Sequence, residues 1–244
     1  MKKIVFISDI HIRNVSRFEE YSKVFTTTIK QIKYLKPDYI FNGGDTFHQK
    51  LTLSPESIIL ARKFFLELGK ICPVYSIIGN HDCNVNNLDR LDAVSSVLQD
   101  IPNNFVIKYS GIYKIDNELN IGLCSILDDQ SKWPMTGLDT SKINIGLYHG
   151  ALVGAVNDQN FKLESSTLSP SLFKEYDFVF AGDIHSYFPY GKDVKNPRLW
   201  SIGNLIQQNF GEAEKKGFLY LEIEDKDNFK LNFEQVKNDY NYIT

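Results

Sequence analysis

All five histidines of this chain, His11, His48, His81, His149 and His185, stand just beyond a short apolar run. Ile4-Val5-Phe6-Ile7 precedes Ser8-Asp9-Ile10-His11, and Tyr39-Ile40-Phe41 precedes Gly43-Gly44-Asp45-Thr46-Phe47-His48. Val74-Tyr75-Ser76-Ile77-Ile78 leads into Gly79-Asn80-His81-Asp82, Ile145-Gly146-Leu147-Tyr148 into His149-Gly150, and Phe178-Val179-Phe180-Ala181 into Gly182-Asp183-Ile184-His185. β-Branched and aromatic runs followed by glycine and nitrogen or oxygen donors read as strands that deliver side chains to a sheet edge. In open α/β sheets, ligands gather beyond the carboxyl ends of strands, so these clusters are expected to converge on one crevice and form a metal site.

Between the clusters, Phe18, Tyr21, Val24, Phe25, Ile29, Ile32 and Leu35 recur at helical spacing from Arg17 to Lys36, and Pro37 ends that helix. Strand, helix, strand makes a βαβ unit, which places Asp9 and Asp45 at the same edge of a parallel sheet. Ser54-Pro55-Glu56-Ser57 supplies an N-cap and a first-turn proline for a helix running to about Lys70. Leu88 to Leu98 reads as another helix. From Asn104 onward, Phe105-Val106-Ile107, Ile112 to Ile115 and Asn120 to Ile126 are short strands separated by Gly, Asp and Asn, the grammar of hairpins in a second, partly antiparallel sheet. Residues 128–141 and 151–168 read as long loops, and Gly217 to Ile223 and Phe229 to Phe233 as paired strands. The architecture expected is an α/β four-layer α/β/β/α sandwich, two mixed sheets flanked by helices.

Asp9, His11, Asp45, Asn80, His149 and His185 offer oxygens and imidazoles and no thiolate. That mixture suits Mn²⁺, Fe²⁺ or Zn²⁺ better than an all-oxygen Ca²⁺ cage. The donors are too many for one tetrahedral ion. Two ions bridged by a carboxylate would use them and clamp a phosphoryl group. Each cluster taken singly also fits a strand-end cap; taken together they fit a site.

The motifs Asp9-x-His11, Gly44-Asp45, Gly79-Asn80-His81-Asp82, His149-Gly150 and x-x-His185 resemble the calcineurin-like metallophosphoesterase superfamily along nearly the whole chain. Within it, Gly44-Asp45-Thr46-Phe47-His48 and the segment Asn204 to Glu212 resemble the DNA double-strand-break nuclease branch, the SbcD family; Asn87 to Asp92 is similar to phage and bacterial members. The resemblance implies one ion held by Asp9, His11 and His185 and a second held by Asn80, His149 and Asp183, with Asp45 bridging. It implies a water activated by the ions as nucleophile, His81 assisting the leaving group and His48 as a second catalytic or orienting histidine. Asp82 would orient His81 or its turn. Where the family ends Gly-His-x-His, this chain has Gly182-Asp183-Ile184-His185, a charged oxygen in place of an imidazole, which favours Mn²⁺ or Mg²⁺. Mn²⁺ is the expected ion.

By the same resemblance, residues 1–244 form a single nuclease domain lacking the family's DNA-binding cap and ATPase-docking region. The expected activity is 3′→5′ exonuclease on duplex ends and endonuclease on single strands or hairpins, with DNA, an SbcC-type ATPase and a second copy of the chain as partners. A small-molecule phosphodiesterase on the same site is the alternative, and a non-catalytic scaffold the third reading should Asp183 break the second ion's site. A net charge of -3 provides no global basic field, so a nucleic acid would be held by local cations or by metal. Lys192, Lys195 and Arg198 are candidate phosphate contacts, with a solvated loop as the plainer reading. Trp133 and Trp200 fit either base stacking or core, and Lys215-Lys216 reads as a turn. Cys72, Cys83 and Cys124 lack paired spacing and read as reduced thiols. No apolar run has the length of a signal peptide or of the ~20 residues of a membrane span, so a cytoplasmic protein is expected, in a host cell if viral.

Overall fold

Strand β1 (Lys2–Ile7) sorts its side chains by parity, Ile4 and Phe6 entering one core and Val5 and Ile7 another. A strand apolar on both faces belongs in the middle of a layered fold. That is its place in the computed structural model, which describes residues 1–49, 52–156, 168–190, 198–213 and 215–240. After β1 come α1 (Phe18–Leu35), β2 (Tyr39–Asn42), α2 (Pro55–Gly69), β3 (Val74–Ser76), α3 (Ala93–Leu98) and β4 (Asn104–Val106). The four strands lie parallel and adjacent, joined by helical crossovers. Next are β5 (Gly111–Lys114), β6 (Leu119–Cys124), β7 (Ile143–His149), β8 (Phe178–Gly182), β9 (Phe188–Pro189) and β10 (Leu199–Ser201). These make a second six-stranded sheet in the order β5-β6-β7-β8-β10-β9. The chain then returns to the first sheet as the hairpin β11 (Gly217–Ile223) and β12 (Phe229–Gln235), completing the order β12-β11-β1-β2-β3-β4. Both sheets are mixed, with parallel centres.

Helices α1 and α2 bury one stripe each, and Phe25 of α1 stacks on Phe64 of α2 at 4.0 Å between ring centroids. The helix α1 ends at Lys36, whose left-handed φ of 50° turns the chain before Pro37. Ser54 caps α2 as its sequence indicates, its side chain accepting the Ser57 N–H at 3.2 Å. Between the sheets lies the aromatic core, where Phe6 stacks on Phe180 at 3.6 Å and Phe180 on Trp200 at 5.2 Å. Trp200 is therefore core, and Trp133 packs on Tyr148 at 5.3 Å. Beyond the second sheet, Cys124, Tyr148, Val179 and Ala181 are covered by Leu152, Phe173 and Tyr176. The fourth layer there, among the described residues, consists of loops and two 3₁₀ turns, Gln130–Lys132 and Pro170–Phe173.

Two expectations need correcting. The third helix begins at Ala93 rather than Leu88, because the Asp92 side chain takes the Ser95 N–H at 2.6 Å and caps it there. Leu88 and Leu91 lie outside, 51% and 83% exposed, with no core to face. The strand at 104–106 pairs parallel with β3 in the first sheet instead of forming a hairpin in the second. The crossover through α3 returns the chain in the same direction as β3, and of the strands expected between Asn104 and Ile126 it is β5 and β6 that form the hairpin. Among the described residues, no helix is long and apolar enough to cross a membrane.

Candidate metal centre

Beyond the carboxyl end of β1, the chain zips onto the segment that follows β2. Asp9 N–H donates to Gly44 O at 3.0 Å, His11 N–H to Asp45 O at 2.9 Å, Ile12 N–H to Thr46 O at 2.9 Å, and His48 N–H to Ile12 O at 3.1 Å. Of the seven non-glycine residues with positive φ among those described, four are candidate ligands: Asp9 at 50°, His11 at 49°, Asp45 at 52° and Asp183 at 82°. Left-handed backbone at residues with a Cβ costs roughly 1–3 kcal/mol each and gathers at functional sites. Here it gathers at the strand ends.

Two groups of donors share this edge. In the first, the Nε2 atoms of His11 and His185 lie 3.0 Å apart, each 4.0 Å from Asp9 Oδ1. In the second, His149 Nε2 lies 3.4 Å from Asp45 Oδ1 and 3.1 Å from the side-chain amide of Asn80. Asp45 faces both: its Oδ2 is 3.6 Å from His11 Nε2. The ligand atoms of Asp9, His11 and His185, and those of Asp9, Asp45 and His149, fall within 4.8 Å of one another. First and second sheets each contribute, since Asp9, His11, Asp45 and Asn80 follow β1 to β3 whereas His149 and His185 come from β7 and the loop after β8.

Neighbouring acceptors settle the histidine tautomers. His149 Nδ1 donates to Gly43 O at 2.7 Å, and His185 Nδ1 to Glu212 Oε1 at 2.8 Å. A carbonyl or carboxylate can only accept, so in the neutral rings the Nε2 lone pairs face Asp45 and Asp9, as they do in metal-binding histidines. Burial pushes the Asp9 carboxyl up to about 6, with Asp45 adding repulsion against the pull of His149 and His185. Burial also disfavours charge on Asp45, but His149, His11 and the His81 N–H hold it well below the usual carboxylate range. His11 is held well below the ordinary histidine value by burial. His149 and His185 are lifted above that value despite burial, His149 by Asp45 and Asp9, and His185 by Glu212 and Asp9. Buried carboxylates and outward lone pairs converging on one point constitute a donor set that divalent cations fit.

The Gly79-Asn80-His81-Asp82 turn is locked onto this edge. His81 N–H donates to Asp45 Oδ1 at 2.7 Å. Any Cβ at Gly79 would sit 2.2 Å from that same oxygen, so only glycine allows the approach. Asp82, fully buried, accepts the backbone N–H groups of Phe47 at 2.9 Å, Gly79 at 3.0 Å and Thr46 at 3.2 Å. It ties the β2 and β3 loops together; His81 is oriented by something else. His81 Nδ1 donates to His48 O at 2.8 Å, and the two rings stack at 5.5 Å. The ligand atoms of His11, His48 and His81 lie within 4.8 Å of one another. His48 itself is shifted below the ordinary histidine value by burial and then by the nearby Arg13.

A cleft of about 250 Å³ opens above these groups, lined by His11, Arg13, Asp45, His48, His81, Asp183, His185, Gln208 and Asn209. Asp183 donates its backbone N–H to both Asp9 oxygens at 3.0 and 3.1 Å. Asp183 lines the cleft, and its carboxylate joins neither donor group.

Arg198 is elsewhere. It lies over the Phe178 and Phe229 rings, bonded to Lys226 O and, at 3.2 Å, to Asp227. Phe178 begins β8, so this is the sheet end opposite the cleft, and the expected phosphate contact is corrected to a strand-end clamp. Lys192 and Lys195 lie outside the described residues. Lys216 is 3% exposed and its Nζ sits 3.0 Å from Glu212 Oε2, which corrects the plain turn expected there.

Glu212 is a site residue that the sequence reading left without a role. Besides His185 and Lys216, it accepts from Asn204 Nδ2 at 3.1 Å, the Gln208 N–H at 3.0 Å and Asn209 Nδ2 at 2.9 Å. The signal was there in the Asn204 to Glu212 segment, without a partner to attach it to. Arg13 was also missed, although it continues the alternation Asp9, His11.

The family model for calcineurin-like phosphoesterases matches residues 2–187. The chain is 35% identical over 260 residues to the uncharacterized R555 protein of Acanthamoeba polyphaga mimivirus, covering all of this chain and 19% of that protein. It thus spans about a fifth of that relative's length. To "Putative phosphoesterase 244L" of invertebrate iridescent virus 6 it is 27% identical over 236 residues, 91% of this chain and 77% of that one. Among solved structures, GAP50, the anchor in the inner membrane complex of Plasmodium, aligns with a TM-score of 0.59 at 12% identity over 97% of this chain and 89% of its own. That likeness is one of fold. Since the matched span takes in every candidate ligand from Asp9 to His185, this chain belongs to the calcineurin-like phosphoesterase family.

Proposed function

We propose that the chain is a two-metal phosphodiesterase that acts on DNA. One observation carries the reading: a single carboxylate, Asp45, turns one oxygen to His149 and the other to His11, so that two donor groups share it. Asp9, His11 and His185 would hold one ion, and Asn80 and His149 the other, with Asp45 between them and Asp183 at hand on the cleft wall. When bound, two divalent ions neutralise a phosphate and lower the pKa of an attacking water. Mn²⁺ suits this oxygen-rich set.

The chain's own residues do the rest. The His48 carbonyl fixes the His81 ring by accepting from Nδ1, so that the ring, when it carries a second proton as imidazolium, would give its Nε2 proton to the leaving oxygen and return to the neutral Nδ1–H form. Glu212 keeps the His185 lone pair on Asp9. Asp82 and Gly79 hold the turn that carries Asn80 and His81 against Asp45. What supports DNA over other phosphodiesters is the SbcD-like resemblance of Gly44 to His48 and of Asn204 to Glu212. An SbcC-type ATPase partner belongs to the same proposal.

The test is cleavage of an end-labelled DNA hairpin by wild type and His81→Ala in Mn²⁺, Mg²⁺ and chelator. Manganese-dependent cutting that disappears in the variant is the expected result. Protein with two bound ions that cuts bis(p-nitrophenyl) phosphate but no duplex, hairpin or single strand overturns the DNA reading; failure to bind metal overturns the phosphodiesterase itself.

A further inference from the structure

We propose that Arg13 forms a phosphate subsite beside the metal centre, gripping the phosphate next to the scissile one in a polynucleotide strand. The inference deepens the proposed function and rests on it for the identity of the strand.

Arg13 is a cleft-lining cation held in place by neutral groups. Its Nε donates to Gln208 Oε1 at 3.2 Å and its Nη2 to Gln208 O at 3.2 Å. Gln208, only 6% exposed, is itself anchored, its Nε2 donating to Ile206 O at 3.2 Å and to Ile10 O and Tyr21 Oη at 3.4 Å each. The guanidinium plane is therefore fixed from one edge, and among the described residues Nη1 has no hydrogen-bond partner. Three of the other arginines are neutralised, Arg17 by Glu20 at 2.6 Å, Arg62 by Asp100 at 2.8 Å and Arg198 by Asp227 at 3.2 Å, and Arg90 is not among the residues that line the cleft. Among the described residues, no carboxylate lies within 4.0 Å of Arg13. A half-buried, pre-oriented guanidinium without a carboxylate, at the mouth of a phosphoester site, has the geometry and the charge for a phosphate oxygen pair.

Position decides which phosphate. The scissile group belongs over Asp45, between the two donor groups. Arg13 lies two residues beyond His11 on the segment that zips onto the chain after β2, and it shares the wall with His48. In this proposal the phosphate over Asp45 goes to the two donor groups and its neighbour in the strand to Arg13. A monoester has no such neighbour, so Arg13 selects for polynucleotides.

The experiment measures binding and turnover separately. Fluorescein-labelled oligothymidylate is titrated with the full chain, wild type, Arg13→Gln and Arg13→Lys, by anisotropy in EDTA and in Ca²⁺ across a range of salt. Turnover is followed in Mn²⁺ on the same oligonucleotide and on bis(p-nitrophenyl) phosphate, and Tm is recorded for each protein. For Arg13→Gln, binding about tenfold weaker is expected from the loss of a charge-assisted pair. The slope of log K against log salt should become shallower by about 0.7, the value for one single-strand phosphate contact. Arg13→Lys should restore the slope but not the full affinity, because the fork is lost. KM for the oligonucleotide should rise, and by a larger factor than KM for bis(p-nitrophenyl) phosphate.

An unchanged slope in Arg13→Gln overturns the subsite, and if its Tm also falls, Arg13 is a staple for Gln208. Wild type that fails to bind the oligonucleotide overturns it as well. Wild type that binds through Arg13 but cuts no DNA sinks the proposed function and leaves the subsite standing.

Discussion

Glu212 and His185 form a fixed pair at the rim of the cleft, Oε1 accepting from Nδ1 at 2.8 Å while Oε2 is taken by Lys216, Asn204 and the Gln208 N–H. A carboxylate behind a ligating histidine sharpens its basicity and aim, and its loss typically weakens metal affinity ~10–100-fold. Glu212→Gln should show that loss for one of two ions in a Mn²⁺ calorimetric titration. Two undisturbed binding steps would refute it.

The same pair sets an acid limit. Burial works against the Glu212 carboxylate, yet His185 and Lys216 bring its carboxyl down to about 2 from an ordinary 4.5. A depressed acid stabilises the fold above its unfolded pKa and ceases to as pH falls through its folded one. The contribution is about 3 kcal/mol, lost between pH 4.5 and 2. Urea unfolding at pH 6 and pH 3 should show a smaller drop for Glu212→Gln than for wild type.

Asp9 has the opposite sign. Its carboxyl is raised to about 6 chiefly by burial, so its ionisation opposes folding, and stability present below pH 3.8 declines as pH rises through 6. Metal-free Asp9→Asn should therefore be at least as stable as wild type at pH 8. The rise in Tm that Mn²⁺ gives wild type should shrink in the variant. A variant with wild-type metal-dependent stabilisation would remove Asp9 from the ligand set.

His48 and His81 are linked through a backbone carbonyl, which no side-chain change at 48 removes. Substituting His81 with alanine should lower kcat ~10²–10⁴-fold, the usual contribution of a general acid. His48→Ala should lose much less and keep both ions. Equal losses from the two variants would assign His48 a direct part in the chemistry.

Gly79→Ala would place a methyl group 2.2 Å from Asp45 Oδ1 and 2.3 Å from its N. Overpacking of this kind costs ~1–3 kcal/mol, and here it also displaces the shared carboxylate. Loss of metal uptake at 20 °C, where the variant is still folded by circular dichroism, is the outcome expected.

The strand ends were legible because a short apolar run followed by Gly and a donor has few other uses. The capped start of α2 and the hairpin β11–β12 were legible for similar reasons, each being specified by neighbours in sequence. Residues 104–106 misled because strand pairing direction depends on the crossover, and the crossover contains a helix of only six residues. Glu212 and Arg13 were opaque for a different reason. A lone charge in a loop gains meaning only from what the fold brings to it, and their partners His185 and Gln208 lie 27 and 195 residues away. The matched family span ends at 187, short of Glu212 altogether. Arg198 shows the converse, a cation close in sequence to the last motif yet carried by β8 and β10 to the far end of the sheet.

The donors are divided between the two sheets, and that division has a consequence for the order in which a nascent chain matures. By the time β4 has formed, Asp9, His11, Asp45, Asn80 and His81 are all made, but His149 and His185 are not. Neither donor group is complete until β7 and β8 dock across the aromatic seam of Phe6, Phe180 and Trp200. The full donor set thus comes together late, absent from a half-synthesised polypeptide and assembled only when the second sheet closes on the first.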